Sequence, residues 1–169
     1  MSKPSAAIVV VCLAGVTVQA VPQNNRAGSS VTIKAKASTV KLGSAILVEV
    51  TLSNITDHAI AYIPGDAGED IDVLDDKGAA VRATKAGEVY KGVSDNRTVH
   101  PDGTVSFEVR SSSGQVLSME PGGSGTHEID VSKLFDFQKP GKYTVQLKRL
   151  DVDTRVVAKS NLITITVLR

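Results

Sequence analysis

The sequence predicts an all-β fold, an immunoglobulin-like antiparallel β-sandwich of about eight to ten short strands. Three observations predict it. Apolar and polar residues alternate in short runs bounded by Gly, Pro, Asn and Asp, at the roughly 8–12-residue spacing of a sandwich. Pro140-Gly141-Lys142-Tyr143-Thr144-Val145 joins a Pro-Gly turn to a strand that opens on Tyr, the pattern of a tyrosine corner, where the hydroxyl bonds back to the backbone. The last run places Ile163, Ile165 and Val167 on one face and Thr164 and Thr166 on the other, the period-2 signature of a half-buried strand.

The chain opens with Lys3, an apolar run over residues 6–18, and Val18-Gln19-Ala20, which predicts a secretory signal peptide over residues 1–20. The run is shorter than the roughly 20 apolar residues that cross a bilayer, so cleavage is expected rather than membrane insertion. Cys12 is the only cysteine and follows Val9-Val10-Val11, not the Leu-Ala-Gly-like triplet of a lipoprotein. A chain cleaved after Ala20 has no thiol, and hence neither a disulfide nor a Cys-based metal site. Residues 21–30 are polar, with Pro and Gly, and read as a flexible leader. Residues 31–169 read as one domain. The 149 residues left after cleavage are enough to bury about two-thirds of their unfolded surface.

Within the domain, Val31, Ile33, Ala35 and Ala37 alternate with Thr32, Lys34, Lys36 and Ser38, giving a first strand with one wet face. Lys41-Leu42-Gly43-Ser44 turns the chain, and Ile46, Val48, Val50 and Leu52 mark the strongest strand. Asn54-Ile55-Thr56-Asp57 leads into a third strand over residues 58–63. Ile71 and Val73, then Val81 and Ala83, flank Asp75-Asp76-Lys77-Gly78, a hairpin turn because Asp and Gly tolerate positive φ. The stretch that opens at Lys85 and closes at Gly103 reads as a long polar loop with at most a short strand near Val89 to Val93. Strand signals return at Val105, Phe107 and Val109, at residues 115–119, and at residues 126–131, where His127, Ile129 and Val131 share a face. Leu134, Phe135 and Phe137 form a crossover that plugs one end of the core. The Tyr143 strand follows, and the return over residues 155–168 carries a break at Ser160-Asn161 that predicts a bulge. No segment shows a helical period.

The Leu-Gly lead, Thr-Leu-Ser-Asn at residues 51–54, Pro-Gly at 121–122, Leu-Phe-Asp-Phe at 134–137 and Pro-Gly-Lys-Tyr-Thr-Val at 140–145 together resemble bacterial secreted immunoglobulin-like modules. They are most similar to the non-catalytic sandwich ahead of the protease domain in deuterolysin-type metalloendopeptidases, and more loosely to the intracellular proteinase inhibitor family. The shared residues are turn and core positions, so the resemblance implies a fold more than an activity. With the sandwich read through Arg169, the activity of that protease is not expected to carry over.

No catalytic, cofactor-binding or metal-binding set is expected from the sequence. His127-Glu128 begins like a zinc-protease helix, but Val131 stands where the second His belongs, and His127 reads as a histidine at the rim of the core. His58 and His100 are isolated. Asp66, Glu69, Asp70, Asp72, Asp75 and Asp76 supply the oxygens a Ca²⁺ ion wants, without the spacing of the twelve-residue calcium loop. Alternation and turn chemistry explain most of them, with Asp72 outward. Ser124 lacks the Gly two residues later that a nucleophile elbow needs. Asn54-Ile55-Thr56 and Asn96-Arg97-Thr98 match the glycosylation sequon. Loss of Lys3 with the signal leaves 18 basic and 18 acidic residues, a balance that argues against nucleic-acid or anionic-membrane partners. Trp is absent and aromatics are few, which disfavours a carbohydrate-stacking face.

These readings converge on a secreted, periplasmic or cell-surface accessory module. It is expected to be monomeric and non-catalytic, to need no cofactor, and to bind a protein partner. The alternatives are a protease inhibitor presenting the loop from Lys85 to Gly103 and, more weakly, a calcium- or carbohydrate-binding module.

Overall fold

The computed structural model describes residues 27–63, 68–90, 97–99, 105–107, 116–151 and 153–169. The expected signal peptide and most of the leader lie outside the described residues, as do Asp66, Asn96, His100 and Gly103. Among the described residues the chain forms β1 (Ser29–Ala35), β2 (Thr39–Lys41), β3 (Leu47–Asn54), β4 (Ile60–Tyr62), β5 (Glu69–Leu74), α1 (Lys85–Tyr90), β6 (Arg97–Val99), β7 (Val105–Phe107), β8 (Leu117–Met119), β9 (Ser124–Asp130), α2 (Val131–Leu134), β10 (Gly141–Leu150), β11 (Val157–Lys159) and β12 (Ile163–Leu168). These strands build an immunoglobulin-like antiparallel β-sandwich, as the alternation predicts. One sheet has the order β1-β3-β9, and the other runs β11-β10-β12-β2 with β5 also paired to β10. Small pairs β4-β8 and β6-β7 stand beside them.

The period-2 pattern sorts each strand into an inner and an outer face. Val31, Ile33, Val48, Val50 and Leu52 from the first sheet and Ile71, Val73, Val145, Leu147 and Ile165 from the second belong to one buried core. Strand β10 anchors the second sheet. Val145 pairs both Ile163 and Val73, and Lys148 pairs both Lys159 and Asp70, so β5 lies on one edge and β11 and β12 share the other.

The predicted bulge lies between β11 and β12. Gln146 and Leu147 face three residues, 160–162, between the flanking pairs Lys148↔Lys159 and Val145↔Ile163. The extra residue turns Asn161 toward the other sheet, where its Nδ2 donates to the Ile33 carbonyl at 3.0 Å and its Oδ1 accepts the Ile33 N–H at 2.9 Å. One side-chain amide thus replaces a neighbouring strand on the outer edge of β1 and ties the two sheets together.

Three expectations need correction. The first strand ends at Ala35, after which the chain crosses to the other sheet, where β2 pairs in parallel with β12. The alternation in the sequence runs on to Ala37, but Ala37 is exposed, because the crossing to the other sheet takes it off the buried face. Residues 85–103 are not one loop: they begin with α1 and include β6. Thr84 starts α1, its Oγ1 accepting the Gly87 N–H at 3.1 Å while its carbonyl accepts from Glu88, an N-cap that six helical residues are too few to announce by periodicity. Gly87 is required there, since a Cβ would lie 2.0 Å from the Leu134 carbonyl oxygen. Val131 likewise opens α2 instead of ending a strand, because Asp130 caps it by accepting the Ser132 N–H at 3.2 Å. The short elements bring the strands to twelve among the described residues.

Leu134 and Phe135 are buried and Phe137 packs against the core, as the crossover predicts. The hairpin at residues 75–78 also forms. Asp75 Oδ1 accepts the N–H groups of Lys77 and Ala79, and Gly78 has φ of 76°. Tyr143 makes the expected corner, but its hydroxyl donates to the Lys139 carbonyl at 2.6 Å, one residue past the Leu134 to Gln138 crossover expected to hold the acceptor, and its ring meets Phe137 edge-on at 4.9 Å. Tyr143→Phe is expected to cost about 1 kcal/mol through the lost hydrogen bond, and Tyr143→Ala roughly 3–5 kcal/mol, read as successive falls in the urea midpoint.

Asp151 closes the open end of β1. Its carboxylate accepts the N–H and hydroxyl of Ser29 at 2.9 and 2.7 Å, and the N–H and hydroxyl of Thr154 at 2.9 Å each. Burial pushes its pKa up, but the bonds from Thr154 and Ser29 outweigh that and hold it below the ordinary aspartate value. A carboxyl depressed in the folded state stabilises fully above its unfolded pKa, near 3.9, and loses that contribution as pH falls through the folded value. Asp151→Asn should therefore cost about 1–3 kcal/mol at neutral pH, with the gap to the unsubstituted protein closing below pH ~4. Urea titrations at a series of pH values would measure this.

Candidate functional site

Alternation that places Ile71 and Val73 inside also places Glu69 inside, and the parity of Tyr143, Val145 and Leu147 brings Arg149 with them. The two are register partners across β5 and β10. Glu69 is 0% exposed, so its charge must be matched within the protein. Arg149 Nη1 donates to Glu69 Oε1, and Nη2 of the same guanidinium donates to the Ile63 carbonyl. Glu69 Oε2 accepts the Tyr90 hydroxyl of α1 at 3.1 Å and lies 3.0 Å from His127 Nε2 on β9. One carboxylate therefore binds together both sheets and α1.

His127 is the histidine at the core rim that its parity predicts, with its side chain 21% exposed. Glu128 points the opposite way and pairs with Lys36, so His127-Glu128 does not present a joint ligand set. His58 is exposed and bonds Asp57 at 2.9 Å. Among the described residues no group of three His, Cys, Asp or Glu side chains is arranged to hold a metal ion. The acidic stretch is dispersed in the same way. Glu69 is internal, Asp72 faces outward to Lys148, and Asp75 shapes the hairpin turn. Among the described residues no hydroxyl or thiol hydrogen-bonds His127, and Ser124 lies at the exposed start of β9. Asn54 of the first sequon is buried. Its Nδ2 donates to the carbonyls of His58 and Met119 at 2.8 Å each, and its Oδ1 accepts from Thr56. Both amide hydrogens that a glycan linkage would compete for are engaged.

Reading the sequence misses the Glu69–Arg149 pair. The signal was present, since a Glu and an Arg each occupy the apolar phase of their strand. Only the register of β5 on β10 shows that they meet.

A groove of about 530 Å³ lies beside β9. Leu47, Tyr90, Ile129 and Leu134 supply its apolar walls, and residues 127–130 line it in unbroken succession. Among the described lining residues the charged groups already have partners. Glu128 is held by Lys36, and Asp130 lies 3.6 Å from Lys133. Burial raises the Asp130 pKa, but bonds from the Ser132 hydroxyl and the Ile46 and Ser132 N–H groups, with the nearby Lys133 charge, hold it below the ordinary value. A smaller cavity of about 80 Å³ touches His127 and Arg149 from the other side.

No protein-family model matches the chain, and no curated protein matches it. Among solved structures it is similar to a CARDB domain from Pyrococcus furiosus, at 12% identity over 83% of this chain and 87% of that one, with a TM-score of 0.41. An alkylpurine DNA glycosylase from Pseudomonas fluorescens is 12% identical over 85% of this chain and 31% of its own, with a TM-score of 0.41. A β-glucosidase from Erythrobacter marinus is 12% identical over 84% of this chain and 16% of its own, also with a TM-score of 0.41. Likeness at this level carries no function to this chain. It does not bear on the resemblance to deuterolysin-type enzymes or proteinase inhibitors.

Removing one member of a buried ion pair strands the other. Glu69→Gln should lower stability by about 3–5 kcal/mol, whereas replacing Glu69 and Arg149 together by Leu and Met should recover most of that loss. Urea unfolding of the single and double variants measures the difference.

Proposed function

We propose that the chain is an exported, non-catalytic immunoglobulin-like module that acts as a monomer by binding a protein partner outside the cytoplasm. The observation that carries this reading is the groove beside β9, whose described lining joins apolar walls to charged groups that are paired internally. Such a surface suits recognition by burial and shape more than chemistry on a charged substrate. The polar network behind it is satisfied by Arg149, Tyr90 and His127, which suits anchoring. The N-terminal pattern through Ala20 supports export. No helix of the described residues is long and apolar enough to cross a membrane.

No specific observation favours the inhibitor reading. The segment it relies on starts with α1, held to the sandwich by Tyr90 on Glu69 and by the close approach of Gly87 to Leu134. Among the described acidic residues Glu69 turns inward to Arg149 and Asp75 shapes the hairpin turn, so no specific observation favours calcium binding.

Expression of the full chain with a photo-crosslinking residue at Lys133, whose side chain is 77% exposed, tests the proposal. The expected result is a chain shortened at Ala20, found outside the cytoplasm and crosslinked to a protein. Retention at full length in the cytoplasm, or recovery of a polysaccharide with no protein, would overturn it.

A further inference from the structure

Among the described residues no strand pairs with the outer edge of β9. Both polar backbone groups of Ile33 bond Asn161 and so point away from β3. The Ile33↔Val50 pair is then of the type without mutual hydrogen bonds, and Val50 turns its N–H and C=O toward β9. Two flanking bonds agree, from the Asn54 N–H to the Gly123 carbonyl and from the Val131 N–H to the Ile46 carbonyl. Gly125, His127 and Ile129, the partners of Leu52, Val50 and Val48, therefore bond β3, while Thr126 and Glu128 direct their N–H and C=O groups outward. Among the described residues nothing pairs with that outward row. The long outer edge of β1, by contrast, is capped by Asn161 and Asp151.

Residues 127–130 belong to both faces of β9, so the groove they line meets the strand at its edge. Resting on the protein-binding reading above, we propose that the partner binds by strand addition. An extended segment would hydrogen-bond the N–H and C=O groups of Thr126 and Glu128 and place an uncharged, apolar side chain in the groove against Tyr90, Ile129 and Leu134. The paired state of Glu128, Asp130 and His127 sets that charge preference, since among the described lining residues no charge is left to complement. Main-chain bonds give such complexes affinity, and alternate side chains in pockets give them specificity. A second copy does not fit, because the inward residues of its own β9, His127 and Ile129, are committed to Glu69 and to the core and cannot fill the groove.

The full chain is used to select from a phage-displayed library of random linear peptides, and the selected peptides are measured against the unsubstituted protein and Thr126→Pro. Proline at this position removes an outward N–H without touching the β3 ladder, a placement edge strands tolerate. The expected result is uncharged, apolar-containing peptides that shift the amide signals of Thr126 and Glu128 and bind the proline variant about tenfold more weakly. N-methylation of alternate peptide amides should weaken binding to the unsubstituted protein similarly, which leaves the domain itself untouched. Peptides that bind Thr126→Pro undiminished and tolerate N-methylation would overturn strand addition while leaving a protein-binding module intact. Selection of no peptide would also overturn it, as would a dimer that Thr126→Pro converts to monomer, which would assign the edge to self-association.

Discussion

A carboxylate with no access to water has to be matched within the protein, and Glu69 carries that constraint for this sandwich. Its two oxygens draw on Arg149 from the neighbouring strand, His127 from the opposite sheet and Tyr90 from α1. Apolar packing is non-directional and tolerates sliding of one sheet over the other. Hydrogen bonds to a single buried carboxylate do not. The network therefore fixes the relative placement of the sheets at the same end where α1 and α2 meet, and it gives the groove beside β9 its back wall.

The rest of the structure solves a related problem with the same means. Sheets of three and five strands leave many backbone groups at their edges, and here side chains stand in for missing strands. Asn161 serves the edge of β1, Asp151 its start, Asp130 the turn into α2, and Asn54 the loop between β3 and β4. With Cys12 the only cysteine, no intrachain disulfide contributes, and these polar ties complement core burial in defining one arrangement. Against this background the outward row of β9 stands out. A strand of seven residues whose outward edge no described group satisfies lies beside a groove whose described charges are paired.

Much of the fold was legible from local pattern. The strands at residues 47–54, 69–74, 141–150 and 163–168, the hairpin at residues 75–78, the Tyr143 corner and the bulge at Ser160-Asn161 all follow from period-2 alternation and turn chemistry, which are properties of a few adjacent residues. The helix α1 was not legible, since six residues are too few to show a period and its cap acts through the Thr84 side chain. Nor was the transfer of β2 to the second sheet, because the next strand's identity leaves no mark on the alternation of the first.

The sequence by itself carried the inward parity of His127, Glu69 and Arg149, though only His127 was read from it, because the pleat of a strand assigns faces by parity. It could not determine which inward residues meet. The Glu69–Arg149 pair depends on the register of β5 on β10, its contact with His127 on the stacking of one sheet over the other, and the outward row of β9 on its being the last described strand of its sheet. Those relations join residues far apart in the chain, and they are settled only when the whole core closes and every buried polar group must find its partner at once.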